Sequence, residues 1–210
     1  MTHLSPLSAE VLAFSRLYLA AFFTFVAVFY TARIILIKPQ VSSGEVIFPG
    51  QRFSASWWNH MLFKSFRAAI WFICVGRLFA PHWDQYLGII APLIQPLIQC
   101  LGFVLLTVGF AITAVVHWKM GTIWRSGVDP RGPVRLIQTG LYRYSRNPMF
   151  VCVALAQLGF FLALPSVFTL VCLVIGWSTL YRQTLVEEHH LEQAFTQEYR
   201  HYKTTVRRWV

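Results

Sequence analysis

The sequence predicts an all-α polytopic membrane protein with about five transmembrane helices. Hydrophobic residues make up 56% of the 210 positions and charged residues only 12%, whereas soluble domains carry about 25% charged residues. The apolar residues also lie in long blocks, and about 20 such residues suffice to cross the hydrocarbon core of a bilayer. Proline and glycine cluster between the blocks, where they interrupt helices.

Five apolar blocks are predicted to be spans, at residues 11–37, 58–80, about 97–118, 148–164 and 167–181. The stretch before the third span contains Pro92 and Pro96, which predict a kinked or interfacial lead-in. Lys64 and Arg67 are expected within the first turns of the second span, where they can extend to the lipid headgroups. Pro165 and Ser166 form a tight turn, so the last two spans are predicted to pair as a helical hairpin.

The basic residues predict an orientation with the N-terminus outside and the C-terminus in the cytoplasm. Alternate connections are basic, as the positive-inside rule requires of cytoplasmic loops. The longest connection, residues 119–147, carries six basic residues: Lys119, Arg125, Arg131, Arg135, Arg143 and Arg146. That connection and the tail, residues 182–210, are therefore predicted on the same face of the membrane. The N-terminal block is long enough to remain in the bilayer, so a removable signal peptide is not expected.

The tail is predicted to be an amphipathic helix that covers a pocket or lies on the membrane surface. Its apolar and aromatic residues recur every three or four positions, which places them on one helical face. They are Leu191, Phe195, Tyr199, Tyr202 and Val206.

Several other functions are disfavoured by the composition. The net charge of +10 could suggest nucleic acid, but the basic residues flank apolar blocks and no polar domain exists, so an anionic lipid surface is the expected partner. The four cysteines lie singly inside apolar blocks, which favours buried thiols over disulfides or metal ligands. His189 and His190 diverge on a helix, so no metal site is predicted.

Two short stretches could form one polar site. Residues 140–150 combine glycine, arginine, asparagine, tyrosine and proline directly before the fourth span. Asn147 and Pro148 are typical of an N-cap and a first helical turn, and a helix N-terminus attracts anions. Glu187 and Glu188 follow the fifth span, and paired carboxylates beside arginines suit a ligand that carries both an ammonium and a carboxylate group.

Residues 136–150 resemble the signature of the integral-membrane methyltransferases, a group that includes isoprenylcysteine carboxyl methyltransferases and phospholipid N-methyltransferases. The pattern runs through the C-terminal half: Gly140, Tyr142, Arg146, Asn147, Pro148, Glu187, Glu188, Tyr199, Tyr202 and Arg208. Trp118, Gly121 and Trp124 are similar to a weaker upstream pattern. Phe150 and Cys152 depart from it, because the family usually has tyrosine and glycine at those positions.

The resemblance implies S-adenosylmethionine as cofactor and S-adenosylhomocysteine as product. It implies that the cofactor is held by Gly140, Tyr142, Arg146, Asn147, Pro148, Glu187, Glu188, Tyr199 and Tyr202, with Arg146 and Glu188 catalytic. The chain is then one membrane domain, in which residues 1–118 form the acceptor side and residues 119–210 the cofactor side. The expected location is a multi-pass protein with a cytoplasmic active site, in a bacterial inner membrane.

The methyl acceptor and the reaction class leave alternatives open. A lipophilic acceptor is expected to enter from the bilayer. A carboxylate or a thiolate needs no base, whereas an amine must lose a proton, and no residue is a compelling base. A prenylcysteine-like carboxylate is therefore the preferred acceptor, with a phospholipid amine or a small thiol as alternatives. Alternatives of another class are a sterol-type membrane reductase and a non-enzymatic membrane scaffold. The oligomeric state is not predicted.

Overall fold

The computed structural model describes residues 5–41, 44–127, 129, 132–133 and 135–210. Arg131 of the predicted basic connection lies outside the described residues, as do residues 1–4 of the polar start. Six α-helices follow one another in the described residues: α1 Pro6–Ile37, α2 Ala55–Phe79, α3 Pro96–Met120, α4 Pro148–Ala163, α5 Val167–Ala194 and α6 Thr196–Thr205.

Helices α1–α5 coincide with the five predicted spans. The stretches Pro6–Gln40 and Pro96–Ile123 are long and apolar enough to cross a membrane, and α4 is an apolar helix that is shorter. These helices agree with the predicted membrane class. Five crossings and the N-terminus-out orientation remain predictions.

Helices α3 and α4 pack closely because glycines remove side chains from their interface. A β-carbon added at Gly102 would collide with the backbone of Ala163, and one added at Gly159 would collide with the backbone of Leu106. At Gly109 it would lie 2.7 Å from the carbonyl oxygen of Cys152. The close approach at Cys152, where the family pattern has glycine, is therefore provided by Gly109 on the facing helix.

The end of the bundle opposite the tail is joined by a buried ion cluster. Arg77 on α2 is fully buried and bonds Asp84 through Nε at 2.5 Å, while Arg16 on α1 pairs with the same carboxylate at 2.9 Å. Asp84 lies in a short 3-10 helix, Pro81–Tyr86, between α2 and α3. The lead-in to α3 is irregular, as predicted, and Ile90 donates its N–H to the carbonyl oxygen of Pro165 in the α4–α5 turn.

Two connections meet at the other end in a short parallel strand pair, which the all-α prediction lacked. Strand β1, Ile47–Phe48, pairs with β2, Ser126–Gly127. Gly127 has φ +89° and its missing side chain leaves room for the carbonyl group of Phe48. Trp124 is buried nearby against Ile37, Val41 and Val46, so the loop before α4 is anchored to the end of α1.

The tail differs from the single helix that the sequence predicts. Helix α5 continues without a break to Ala194, and the chain bends at Phe195 before α6 begins. Leu191 and Tyr199 therefore belong to different helices. The bend directs Tyr199 and Tyr202 into the protein, where they are 0% and 3% exposed. Val206 lies beyond the end of α6.

Candidate functional site

The two predicted halves of the site are in direct contact. Asn147, the residue before α4, donates from Nδ2 to Oε1 of Glu188 on α5 at 2.8 Å. Arg146 donates to both oxygens of the same carboxylate, from Nε at 3.3 Å and from Nη2 at 3.4 Å. The hairpin of α4 and α5 brings these side chains together across about 40 residues of sequence.

The last residues of the chain close over this contact, and we refer to residues 206–208 as the C-terminal strap. Arg208 donates from Nε to Oε2 of Glu188 at 3.1 Å. The backbone N–H of Arg146 bonds the carbonyl of Arg207 at 2.9 Å, and its Nη1 bonds the carbonyl of Val206 at 3.1 Å. Ser145 and Asn147 both donate to the carbonyl of Arg208. The strap therefore holds the start of α4 against α5.

Glu188 is ionised, and both of its carboxylate oxygens accept hydrogen bonds. Its side chain is buried, which by itself disfavours the charge. The hydrogen bonds from Arg208 and Asn147, together with the charge of Arg146, outweigh that effect, so the pKa of Glu188 lies below its ordinary value. Its two oxygens receive four charge-assisted or amide hydrogen bonds from these partners. Within the described contacts, Glu188 acts as the central tie between α4, α5 and the strap.

A cavity of about 170 Å³ lies beside this tie, between the loop before α4 and the end of α5. Five of the predicted site residues line this cavity: Tyr142, Arg146, Asn147, Glu187 and Tyr202. Glu188 is not among the residues that line it. The adjacent glutamates therefore have different environments, because consecutive residues on a helix point about 100° apart.

Of the two adjacent glutamates, Glu187 is the one that faces the cavity. Gln183, one turn earlier on α5, donates from Nε2 to its Oε1 at 3.0 Å. Burial raises the pKa of Glu187 to about 7, and the bond from Gln183 lowers it only in part. No arginine or lysine forms an ion pair with Glu187 in the described residues. The group can thus accept a proton or bind an ammonium group near neutral pH.

His190 lies one turn beyond Glu187 and also lines the cavity. Its Nε2 atom is buried and has no hydrogen-bond partner among the described residues. On the opposite wall, Tyr202 donates its hydroxyl to the carbonyl of Tyr142 at 2.6 Å. Burial, and then the nearby Glu187 carboxylate, raise the pKa of Tyr142 above its ordinary value. These tyrosines are therefore neutral at physiological pH.

The N-terminus of α4 opens onto the cavity. Asn147 stands at the N-cap position but forms no side-chain cap, because its amide is directed to Glu188. The first-turn N–H groups of a helix lack intrahelical partners, and Met149 and Phe150 in that turn line the cavity. The predicted capping role of Asn147 is wrong, but the uncapped helix start keeps the anion-attracting character that the sequence predicted.

The other predicted residues lie around the cavity rather than in its wall. Gly140 has φ +65°, a conformation that side chains disfavour, in the turn that carries Tyr142. Pro148 is the first residue of α4, and Tyr199 is buried below Tyr202 with its hydroxyl unpartnered. Each is close to the site, and their contact with a cofactor remains a prediction.

Three residues that contact the site were not predicted as site residues from the sequence. Gln183 precedes Glu187 by four residues, which on a helix makes the two side chains neighbours. His190 follows it by three, and was considered only as a metal ligand. Arg208 was recognised as part of the family pattern but not as a site residue, because 20 residues of tail separate it from Glu188.

The model of the phospholipid methyltransferase family matches residues 97–198. The match covers just under half of the 210 residues and shows that this stretch is similar to the family. The matched stretch begins in α3 and ends in α6, so it contains the α4–α5 hairpin, Arg146, Asn147 and both glutamates. No curated protein and no solved structure matches the chain. The family match confirms the resemblance to membrane methyltransferases that the sequence motifs indicated.

The cavity has groups that fit the cofactor these methyltransferases generally use, S-adenosylmethionine. Its amino-acid end is zwitterionic, and the cavity presents the Glu187 carboxylate, which has no ion pair among the described residues, and the N-terminus of α4 without a side-chain cap. The Arg146 guanidinium is less available to bind the cofactor's carboxylate, because it already bonds Glu188 and the carbonyls of Lys203 and Val206. The enclosed volume of about 170 Å³ is below the roughly 300 Å³ of small ligand sites, so a bound cofactor would extend beyond it.

Proposed function

We propose that the protein transfers a methyl group from S-adenosylmethionine to a lipid acceptor at the cavity between α3, α4 and α5. The observation that carries the proposal is the cavity-facing position of Glu187, one residue from the Arg146–Asn147–Glu188 tie. The family match supports methyl transfer, and the apolar helices support a membrane protein.

In this proposal the cofactor's amino-acid end binds between Glu187 and the start of α4. When bound, the cofactor supplies a methyl group on a positively charged sulfur, which leaves as a neutral thioether. The protein's contribution is to orient the acceptor and to exclude water. Tyr142 and Tyr202 form a neutral wall, and the C-terminal strap keeps Arg146 and Asn147 fixed.

We infer further that the acceptor is a phospholipid amine. An amine must lose a proton to accept a methyl group, and the sequence contained no obvious base. His190 supports that role, because it lines the cavity and its buried Nε2 atom has no hydrogen-bond partner among the described residues, and a neutral imidazole can act as a general base. The family name also points to phospholipids. The preference for a carboxylate acceptor, which rested on the lack of a base, is therefore reversed.

A prenylcysteine-like carboxylate is the second candidate. Arg135 lines the cavity and would attract an anionic acceptor. This candidate needs no proton transfer, so it predicts methylation that does not depend on a general base such as His190.

An assay with cofactor carrying a labelled methyl group distinguishes the candidates. Purified protein in mixed micelles is offered phosphatidylethanolamine, a farnesylcysteine derivative and a small thiol in parallel. We expect label in the phosphatidylethanolamine and loss of at least ~100-fold in rate for His190→Gln. Label in the farnesylcysteine alone would support the carboxylate acceptor. No label in any lipid, with the cofactor bound, would contradict a lipid methyltransferase.

A further inference from the structure

The arginine in the middle of α2 forms no ion pair with any of the described residues. Arg67 is the thirteenth of the 25 residues from Ala55 to Phe79, about 18 Å along the helix from its first residue at 1.5 Å per residue. Helix α2 begins three residues before the predicted span, so Arg67 lies further along the helix than the sequence indicated. A charge at such a depth in a span is costly and usually has a functional partner.

The described contacts of Arg67 do not neutralise it. Its guanidinium carbon lies 4.4 Å from the centre of the Tyr30 ring, a cation–π contact that leaves the charge in place. None of the described ion pairs includes Arg67 or Lys64. Both side chains are exposed on the surface of the protein.

A histidine and a lysine lie between the N-terminus of α2 and Arg67. His60, Lys64 and Arg67 are spaced by four and three residues, so they lie along one helical face. Lys64 and Arg67 both act electrostatically on His60, which agrees with that placement. Lys64 and Arg67 are thus two neighbouring positive groups that form no ion pair among the described residues, and such a pair attracts negative charge from outside the chain. In a bilayer that charge is carried by lipid phosphates.

Arg67 also lines a cleft between α2, α4 and α5. The wall is mostly apolar, with Phe63, Phe66 and Ile70 on α2 and Leu173 on α5. Gln157 on α4 adds one polar group, and its Oε1 atom is buried without a hydrogen-bond partner. A side chain at Gly176 would lie 2.7 Å from the Gln157 amide, so the glycine leaves room for it.

We propose that this cleft binds the headgroup of a membrane phospholipid, with the phosphate on Arg67 and a headgroup N–H or O–H donor on Gln157. The apolar wall would contact an acyl chain, and Lys64 would attract the phosphate from the membrane surface. The proposal rests on the membrane placement in the proposed function and extends it to a lipid site on the bilayer side. The lipid is either the methyl acceptor or a second phospholipid that remains bound.

Lipid retention measures the site directly. The full chain is purified in detergent and mixed with dioleoyl phosphatidylethanolamine, dioleoyl phosphatidylglycerol or dioleoylglycerol, and bound lipid is counted by native mass spectrometry. We expect both phospholipids to bind more tightly than dioleoylglycerol, which lacks the phosphate. Arg67→Gln is expected to weaken both by about tenfold, the effect of one charge-assisted hydrogen bond.

The controls separate this site from folding and from the cofactor site. Arg67→Lys is expected to retain most of the affinity, while Arg182→Gln, which removes an exposed arginine of α5, is expected to bind lipid like wild type. Binding of S-adenosylhomocysteine is expected to be unchanged in Arg67→Gln, so failure of the lipid site and failure of the cofactor site are distinguishable.

Two results would overturn the proposal: unchanged phospholipid affinity in Arg67→Gln, or wild-type binding of dioleoylglycerol equal to that of the phospholipids. If Arg67→Gln lowers the phospholipid affinity, the KM of this variant for phosphatidylethanolamine shows whether the bound lipid is the methyl acceptor. A raised KM assigns the site to the acceptor, and an unchanged KM assigns it to a second phospholipid.

Discussion

Asn147 donates a 2.8 Å hydrogen bond from its side-chain amide to the carboxylate of Glu188, across 41 residues of sequence. This bond turns the Asn147 amide towards Glu188, its Oδ1 atom does not cap α4, and the carboxylate is tied to the start of that helix. The two glutamates of the pair thus have separate roles. Glu188 holds α4, α5 and the strap together, and Glu187 remains available in the cavity.

The division of roles predicts opposite effects of the two conservative glutamate substitutions. Glu188→Gln removes the charge that Arg146 and Arg208 share, and breaking such a buried pair costs about 3 kcal/mol. Its thermal unfolding midpoint in detergent is expected to fall by several degrees. Glu187→Gln is expected to be at least as stable as wild type at pH 8, because it removes a half-buried charge that has no ion pair among the described residues.

Glu192→Gln provides the control for this comparison. Glu192 pairs with Lys203 on the exposed side of the tail, and exposed pairs contribute little, so the midpoint should not change. Equal midpoints for the Glu188→Gln and Glu192→Gln variants would rule out the role of Glu188 as a tie.

Acid is expected to weaken the same tie. The folded-state pKa of Glu188 is depressed, so its contribution to stability is present above the ordinary value of 4.5 and is lost as the pH falls through the folded pKa. The difference in midpoint between wild type and Glu188→Gln should therefore be large at pH 6 and shrink towards pH 3. A difference that stays constant over that range would contradict the ionised tie.

At low cofactor concentration the rate of methylation is expected to rise with pH through about 7, because Glu187 must be ionised to bind the cofactor's ammonium group and its pKa is about 7. Gln183→Leu removes a hydrogen bond that lowers this pKa, so the rising limb should move to higher pH. The pH–rate profiles of wild type, Gln183→Leu and Glu187→Gln test this. If the rising limb of the Gln183→Leu profile lies at the same pH as that of wild type, the ionisation of Glu187 does not determine the pH dependence of the rate.

Close packing of α3 on α4 predicts a further effect. Gly102→Val places a side chain against the backbone of Ala163, which must separate the helices that position Asn147. We expect loss of folded protein on size-exclusion chromatography in detergent. Leu101→Ala, at a neighbouring exposed position, is the control and should elute like wild type.

The sequence predicted the helical elements well because their apolar blocks are long and are bounded by proline and glycine. It also predicted that residues 146–148 and 187–188 form one site, since a short hairpin must return the chain to the same face. The strap was not predictable in detail, because Arg208 reaches Glu188 only through the bend at Phe195. That bend has no proline or glycine to mark it.

The roles within the glutamate pair could not be predicted from the sequence either. Which of two adjacent helical residues faces a cavity depends on how the helix is rotated in the bundle. The contacts of Asn147 and Arg208 set that rotation, and both come from distant segments. The motif therefore identified the pair but favoured Glu188, whereas the structure places Glu187 in the cavity wall.

Isothermal titration of S-adenosylhomocysteine into the detergent-solubilised protein tests the proposed cofactor cavity most directly. We expect wild type and Glu192→Gln to bind with the same affinity, and Glu187→Gln to bind at least tenfold more weakly, since its amide cannot pair with the ligand's ammonium group. Absence of binding heat for wild type across temperatures, or equal affinities for wild type and Glu187→Gln, would contradict a cofactor site that depends on Glu187.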